Sequence, residues 1–252
     1  MGDSSVTTDS DVTDRQVRQQ HGTAPGGTWY KKQKDMLAAY ADGDKQGHLV
    51  AWDRVPYMKD GKLCVPRVYG LYASAQDFVR NLLLVDEKKR FGYELIPENA
   101  PCKAYADIEW EGPADPDHST LKRLLKYLRE RASELYLQKA PHQWKMYVAC
   151  GTREAKGAGP GVMKHSYHVV IPNLVFQSNL DMAPLFNVPT DHIEFWWTDR
   201  NCKPKCMVDS SVYGRNRIFR TLYSAKRSLD CGVPPILRLK NEREVRPAHP
   251  ES

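Results

Sequence analysis

The feature that most constrains this chain is the strict alternation of residues Cys102 to Trp110. Ala104, Ala106 and Ile108 fall on one side of a two-residue period, and Tyr105, Asp107 and Glu109 on the other. A β-strand sends successive side chains to opposite faces. The segment therefore predicts a strand with an apolar face against a core and two carboxylates side by side on the other. Asp-x-Glu on a strand is most often a solvated face. On a rigid element it is also half of a clamp for a hard divalent cation, which takes oxygen ligands and usually one or two carboxylates. A third acid is then needed. Asp209 is the candidate, because Met207 and Val208 form a short apolar run that ends in it.

A second alternating strand is predicted over Ser166 to Ile171. Counting back two residues, Lys164, Ser166 and His168 share a face: a cation, a hydroxyl and an imidazole that suit phosphate oxygens. The preceding stretch, Lys156 to Gly161, is glycine-rich but lacks the Gly-Lys-Ser/Thr ending of a P-loop. A polar-faced edge strand explains the same residues. A Ser-His-Asp hydrolase does not fit, since Ser166 and His168 project side by side and the chain has no Gly-x-Ser-x-Gly elbow.

Downstream of Asp209, Arg215, Arg217, Arg220 and Lys226 interleave with Tyr213, Phe219 and Tyr223. Arginine grips phosphate through a planar fork and aromatics stack on bases. A solvated basic strand is the plain alternative. The formal net charge of +6 favours anionic partners without specifying one.

Other elements follow from periodicity. Ala73 to Glu87 predicts a helix with Phe78, Val79, Leu82 and Leu83 as its apolar stripe. Ser119 to Lys139 predicts another, capped by Ser119, with Leu121, Leu124, Leu125, Leu128, Ala132 and Leu135 inward. Lys145 to Cys150, Cys206 to Val212 and Asn216 to Tyr223 read as further strands. This irregular mixture predicts an α+β fold. Residues 1–28 read as a disordered polar tail, 29–240 as the folded core and 241–252 as a loose end or linker. The six cysteines are scattered and no secretion signal accompanies them, so reduced thiols in an intracellular, non-secreted protein are expected. No stretch is apolar enough for a membrane span. Cys202 and Cys206 lack a second nearby Cys/His pair, so no zinc is expected.

Taken in order, Asp107/Glu109, Ser166/His168 and Val208-Asp209 resemble the three motifs of the archaeo-eukaryotic primase superfamily, in its primase-polymerase (PrimPol-like) branch. The flanks are similar too: Tyr93 to Ala100 and Cys102-Lys103 before the first motif, and Val212-Tyr213, Asn216-Arg217, Phe219-Arg220 and Lys226 after the third. The resemblance covers about residues 64–230. It implies a fold of two packed αβ modules, the second with an antiparallel sheet like that of an RNA-recognition motif, and an active site in the cleft between them. It implies that Asp107, Glu109 and Asp209 hold a pair of Mn²⁺ or Mg²⁺ ions. Lys164, Ser166, His168, Arg217, Arg220 and Lys226 would take the triphosphate of an incoming dNTP or NTP, with Arg67 near the nucleotide and Tyr93 near its sugar. The implied activity is template-dependent nucleotidyl transfer on single-stranded DNA, to a primer 3′-hydroxyl or an initiating nucleotide. A single-strand-binding protein or helicase would be a further partner, and the compartment a nucleus, a mitochondrion or a virus-infected cell. Two rivals use the same residue types: a catalytically silent single-stranded DNA-binding module, and a two-metal nuclease.

Overall fold

The computed structural model describes residues 26–136, 145–226, 236, 238 and 239. The expected N-terminal tail before Gly26, the expected loose end from Asn241 and the last three residues of the helix expected over Ser119 to Lys139 lie outside them. The fold is mixed α+β with antiparallel sheets. In chain order the elements are β1 (Thr28–Tyr30), α1 (Gln33–Asp42), β2 (His48–Asp53), β3 (Tyr57–Lys59), β4 (Lys62–Cys64), β5 (Arg67–Tyr72), α2 (Ala75–Leu84), β6 (Gly92–Ile96) and β7 (Cys102–Gly112), followed by α3 (Ser119–Tyr136), β8 (Tyr147–Cys150), β9 (Arg153–Glu154), β10 (Met163–Phe176), α4 (Asn179–Phe186), β11 (Trp196–Thr198), β12 (Pro204–Cys206), β13 (Arg217–Arg220) and β14 (Arg238–Leu239). The chain divides into two units: residues up to Leu95 with Ile218–Pro234, and Ile96–Arg217 with the C-terminal residues from Pro235.

The first unit is built on a five-stranded sheet in the order β1-β5-β2-β6-β13. Thr28, placed in the expected tail, pairs with Leu71. Its central strand β2 is buried from Leu49 to Asp53, which is why it carries no alternating signal. Met36 of α1 packs with Leu49 and Leu95. Gly70 sits where a Cβ would meet a Val50 methyl at 2.8 Å, so β5 needs a residue without a side chain there. Helix α2 starts after Ser74, whose hydroxyl accepts the Asp77 amide at 3.1 Å. It is shorter than predicted, and its stripe is narrower: Phe78 and Leu82 are buried, whereas Val79 and Leu83 are 48 % and 49 % exposed. Outside the sheet, β3 and β4 form a hairpin closed by Asp60 and Gly61, both with positive φ (50° and 71°), as a two-residue Asp-Gly turn requires.

The second unit is built on the sheet β14-β8-β10-β7, with β9 pairing the start of β10 and the hairpin β11–β12 outside it. The two long strands β7 and β10 run antiparallel from Met163↔Gly112 to Phe176↔Cys102, with one irregularity between Ile171 and Val175. The predicted inner positions of β7, Ala104, Ala106 and Ile108, are buried, and so are Trp110 and Tyr105, the latter expected on the carboxylate face. On β10, His165 stacks on Trp110, its cross-strand partner, with ring centroids 4.5 Å apart. Leu121, Leu124, Leu125, Leu128 and Ala132 of α3 are buried as predicted, but Leu135 is 43 % exposed. The cap of α3 is Asp115, not Ser119: its carboxylate accepts the amides of Ser119 at 2.9 Å and Thr120 at 3.0 Å. Burial raises the Asp115 carboxyl, and these hydrogen bonds outweigh it and hold the group below its usual range.

Three expected strands differ, the first being β8, which covers only Tyr147–Cys150 of the strand expected over Lys145 to Cys150. The segment Cys206 to Val212 is not one strand: β12 ends at Cys206, Val208 makes an isolated bridge to Ile108, and Ser210–Val212 is a 3₁₀ turn. The turn forms because the Asp209 side chain accepts the Ser211 amide at 2.9 Å, a local bond that competes with extended structure. The strand expected over Asn216 to Tyr223 is confined to β13, since Asn216 and Tyr223 have φ of 47° and 61°. The five described cysteines are free thiols, and Cys231 lies outside the described residues. No helix among the described residues is long and apolar enough to cross a membrane.

Candidate nucleotide and metal site

The pairing of β7 with β10 sets Asp107 opposite His168, Glu109 opposite Ser166 and Glu111 opposite Lys164. Directly opposed residues on an antiparallel pair project from the same face. Two predicted motifs, far apart in sequence, thus share one surface of one sheet. Lys164 Nζ lies 2.9 Å from Glu109 Oε2, and His168 Nε2 lies 3.7 Å from Asp107 Oδ1. Both contacts join an acid of β7 to a base of β10.

Asp209 reaches the same place through the backbone. Its amide donates to the Asp107 carbonyl at 2.8 Å, and the Glu109 amide donates to the Met207 carbonyl at 2.7 Å. These bonds flank the Ile108–Val208 bridge and set Asp209 across from Asp107. The apolar residues on either side of the bridge, Ile108 and Val208, are buried and anchor it. Beneath, Tyr105 donates its hydroxyl to the Val212 carbonyl at 2.9 Å, and Tyr213 donates to the Tyr105 carbonyl at 2.9 Å. Burial, reinforced by the charges of Tyr105, Asp107 and Asp209, raises the Tyr213 hydroxyl well above its ordinary value, so it stays a donor.

Accessibility separates the members of this cluster. Asp107, Glu109, Lys164 and Asp209 are half-buried, whereas Ser166 and His168 are 1 % and 6 % exposed. Among the described residues, no group of three or more His, Cys, Asp and Glu side chains is drawn together at the spacing of a metal site. The donor set itself suits a hard divalent cation, with three carboxylates at adjoining backbone positions and oxygen as the donor atom throughout.

In the first unit, Arg67 and Tyr93 are joined by a residue the sequence did not single out. Asp53 is 2 % exposed. Its Oδ1 accepts from Arg67 Nε at 2.7 Å and its Oδ2 from the Tyr93 hydroxyl at 2.6 Å. The Arg67 guanidinium also lies 5.1 Å from the centre of the Tyr93 ring, within cation–π range. Burial first, and the Asp53 charge next, raise the Tyr93 hydroxyl, while Arg67 and Arg220 pull it back. Arg220 therefore belongs to the same electrostatic neighbourhood. Arg217 is exposed at the start of β13, and Lys226 is exposed. The loop before Arg217 is held by buried Asn179, whose amide donates to the Gly214 carbonyl at 2.7 Å, and by Asn216, which accepts the Glu98 amide at 2.9 Å.

Asp53, Asn179 and Glu111 are the polar residues sequence reasoning missed. Only Glu111 left a signal, because it extends the Asp107, Glu109 alternation by one more step. No protein-family model matches the chain, and no curated protein matches it significantly.

Proposed function

We propose that the chain is a template-dependent primase-polymerase core of the archaeo-eukaryotic primase type. It would join nucleotides to a primer 3′-hydroxyl, or to an initiating nucleotide, on single-stranded DNA. One observation carries the reading: the β7–β10 register and the Ile108–Val208 bridge gather the three motifs, separated in sequence, on one face. A merely solvated Asp-x-Glu strand would not need a third acid tied to its backbone.

Asp107, Glu109 and Asp209 would hold Mg²⁺ or Mn²⁺. Paired ions of this kind stabilise the attacking and leaving oxygens of an in-line phosphoryl displacement. Lys164 stands 2.9 Å from Glu109. A phosphate oxygen taken by Lys164 would therefore lie next to a cation-holding carboxylate, and the ammonium would offset charge on the leaving pyrophosphate. His168 would donate to the same group. Ser166, being buried, would act by fixing the strand or would need a rearrangement to touch a ligand. Arg67, Tyr93, Arg217, Arg220 and Lys226 keep the nucleotide roles that the resemblance implies, and Asp53 would hold Arg67 and Tyr93 in place. DNA would be bound through phosphates, so affinity should fall with salt.

Extension of a labelled primer on a DNA template, with Mg²⁺ or Mn²⁺ and dNTPs, tests the proposal. Metal-dependent extension supports it. Single-strand binding without extension would favour the silent module, and DNA cleavage without triphosphates would favour the nuclease.

A further inference from the structure

The partner of Lys164 is not the one its register offers. Lys164 sits directly opposite Glu111 on β7 and opposite Arg153 on β9, yet its ammonium bonds Glu109, one diagonal step away. Arg153 repels it. Glu111 is occupied: Arg200 grips it with two parallel bonds, Nε to Oε2 at 2.9 Å and Nη2 to Oε1 at 3.0 Å. The third guanidinium nitrogen, Nη1, donates to the Lys156 carbonyl at the head of the glycine-rich loop. This two-pronged geometry is specific to arginine.

We propose that Arg200 is a positioning residue for Lys164: by clamping Glu111 it withholds the directly opposed carboxylate from Lys164 and directs the ammonium to Glu109. The clamp also keeps the Glu111 charge from adding to the anionic face where a triphosphate would bind. That second consequence, but not the first, rests on the primase-polymerase reading. Without Arg200, Glu111 would stand facing Lys164 across the strand pair and draw it away.

The test reads Lys164 directly. Lysines are dimethylated with ¹³C-formaldehyde, which keeps their charge, and the Lys164 signal is identified by its loss in Lys164→Arg. In the wild-type background, Glu109→Gln is expected to move that signal and Glu111→Gln to leave it in place. In an Arg200→Ala background the pattern is expected to reverse. A Lys164 signal that ignores Arg200→Ala, or that already answers to Glu111→Gln in wild type, overturns the proposal. In a parallel dNTP titration, Arg200→Ala should weaken binding about tenfold, the worth of one charge-assisted hydrogen bond. Arg200→Ala/Glu111→Gln should recover most of the loss, because the competing carboxylate is gone. If the double variant stays as weak as Arg200→Ala, Arg200 acts only through the Lys156 loop, and the proposal is wrong. If wild type binds no dNTP while the lysine signal behaves as expected, the clamp stands and the primase-polymerase reading fails.

Discussion

The Asp209 amide donates to the Asp107 carbonyl at 2.8 Å, so these two residues are tied to each other through main chain. Either carboxylate should therefore be removable without loss of the fold. Asp107→Ala should leave thermal stability nearly unchanged. Asp209→Ala also loses its hydrogen bond to the Ser211 amide and should cost about 1 kcal/mol, as for a helix cap. Urea denaturation of each variant measures this. Cooperative unfolding lost in either would mean the side chains hold the bridge.

The narrowed stripe of α2 makes a sharper stability prediction. Phe78 is 0 % exposed and packs edge-on against Tyr72, with ring centroids 5.2 Å apart. Phe78→Ala should destabilise the protein by about 3–5 kcal/mol. Leu83→Ala, at a half-exposed position, should cost under ~1 kcal/mol. Similar losses in denaturant titrations would restore the wider stripe read from sequence.

The contrast shows what the sequence carries. Local periodicity was enough for the Ala104, Ala106 and Ile108 face of β7 and for most of the inner face of α3, but the face of β10 read as polar is buried at Ser166 and His168. Periodicity failed for β2, buried on both faces, and for α4, where Pro184 lies inside the helix and reads as a breaker. The Asp209–Ser210–Ser211 turn was masked by the apolar run before it. A metal-holding trio of Asp107, Glu109 and Asp209 was expected from resemblance; a single bridge, visible only in the pairing, sets Asp209 across from Asp107, while among the described residues no three such side chains close to the spacing of a metal site. Asp53 was illegible for the same reason: its partners lie 14 and 40 residues away and meet it only through strand register.

The Tyr93 hydroxyl of that network links stability to alkaline pH. Burial, then the Asp53 carboxylate, raises the Tyr93 hydroxyl above its ordinary value. Burial likewise raises the Tyr167 hydroxyl to about 12. A tyrosine whose folded pKa is raised binds its proton longer when folded than when unfolded. Its contribution is complete below the ordinary value of about 10 and is lost as pH climbs above it. Stability should thus fall from about pH 10 upward. Tyr93→Phe and Tyr167→Phe should each make the fall shallower in urea midpoints taken across that range. An unchanged slope would mean these hydroxyls titrate normally.

Arg217 is exposed at the head of β13, beyond a loop that Asn179 and Asn216 fix from two sides. If it serves a triphosphate, Arg217→Ala should weaken dNTP binding roughly 10- to 100-fold, as for loss of a hydrogen bond to a charged group. Single-stranded DNA affinity should change much less. Calorimetric titration of each ligand separates the two, and equal losses would assign Arg217 to general phosphate contact.

The most direct measurement is primer extension by wild type beside Asp209→Asn. Asparagine can keep the hydrogen bond to the Ser211 amide, so the substitution removes charge and little else. If Asp209 holds a cation, whose charge is worth several kcal/mol to the transition state, extension with Mg²⁺ or Mn²⁺ should fall on the order of 10³-fold while the melting temperature stays put. Extension by folded Asp209→Asn at the wild-type rate would contradict the account.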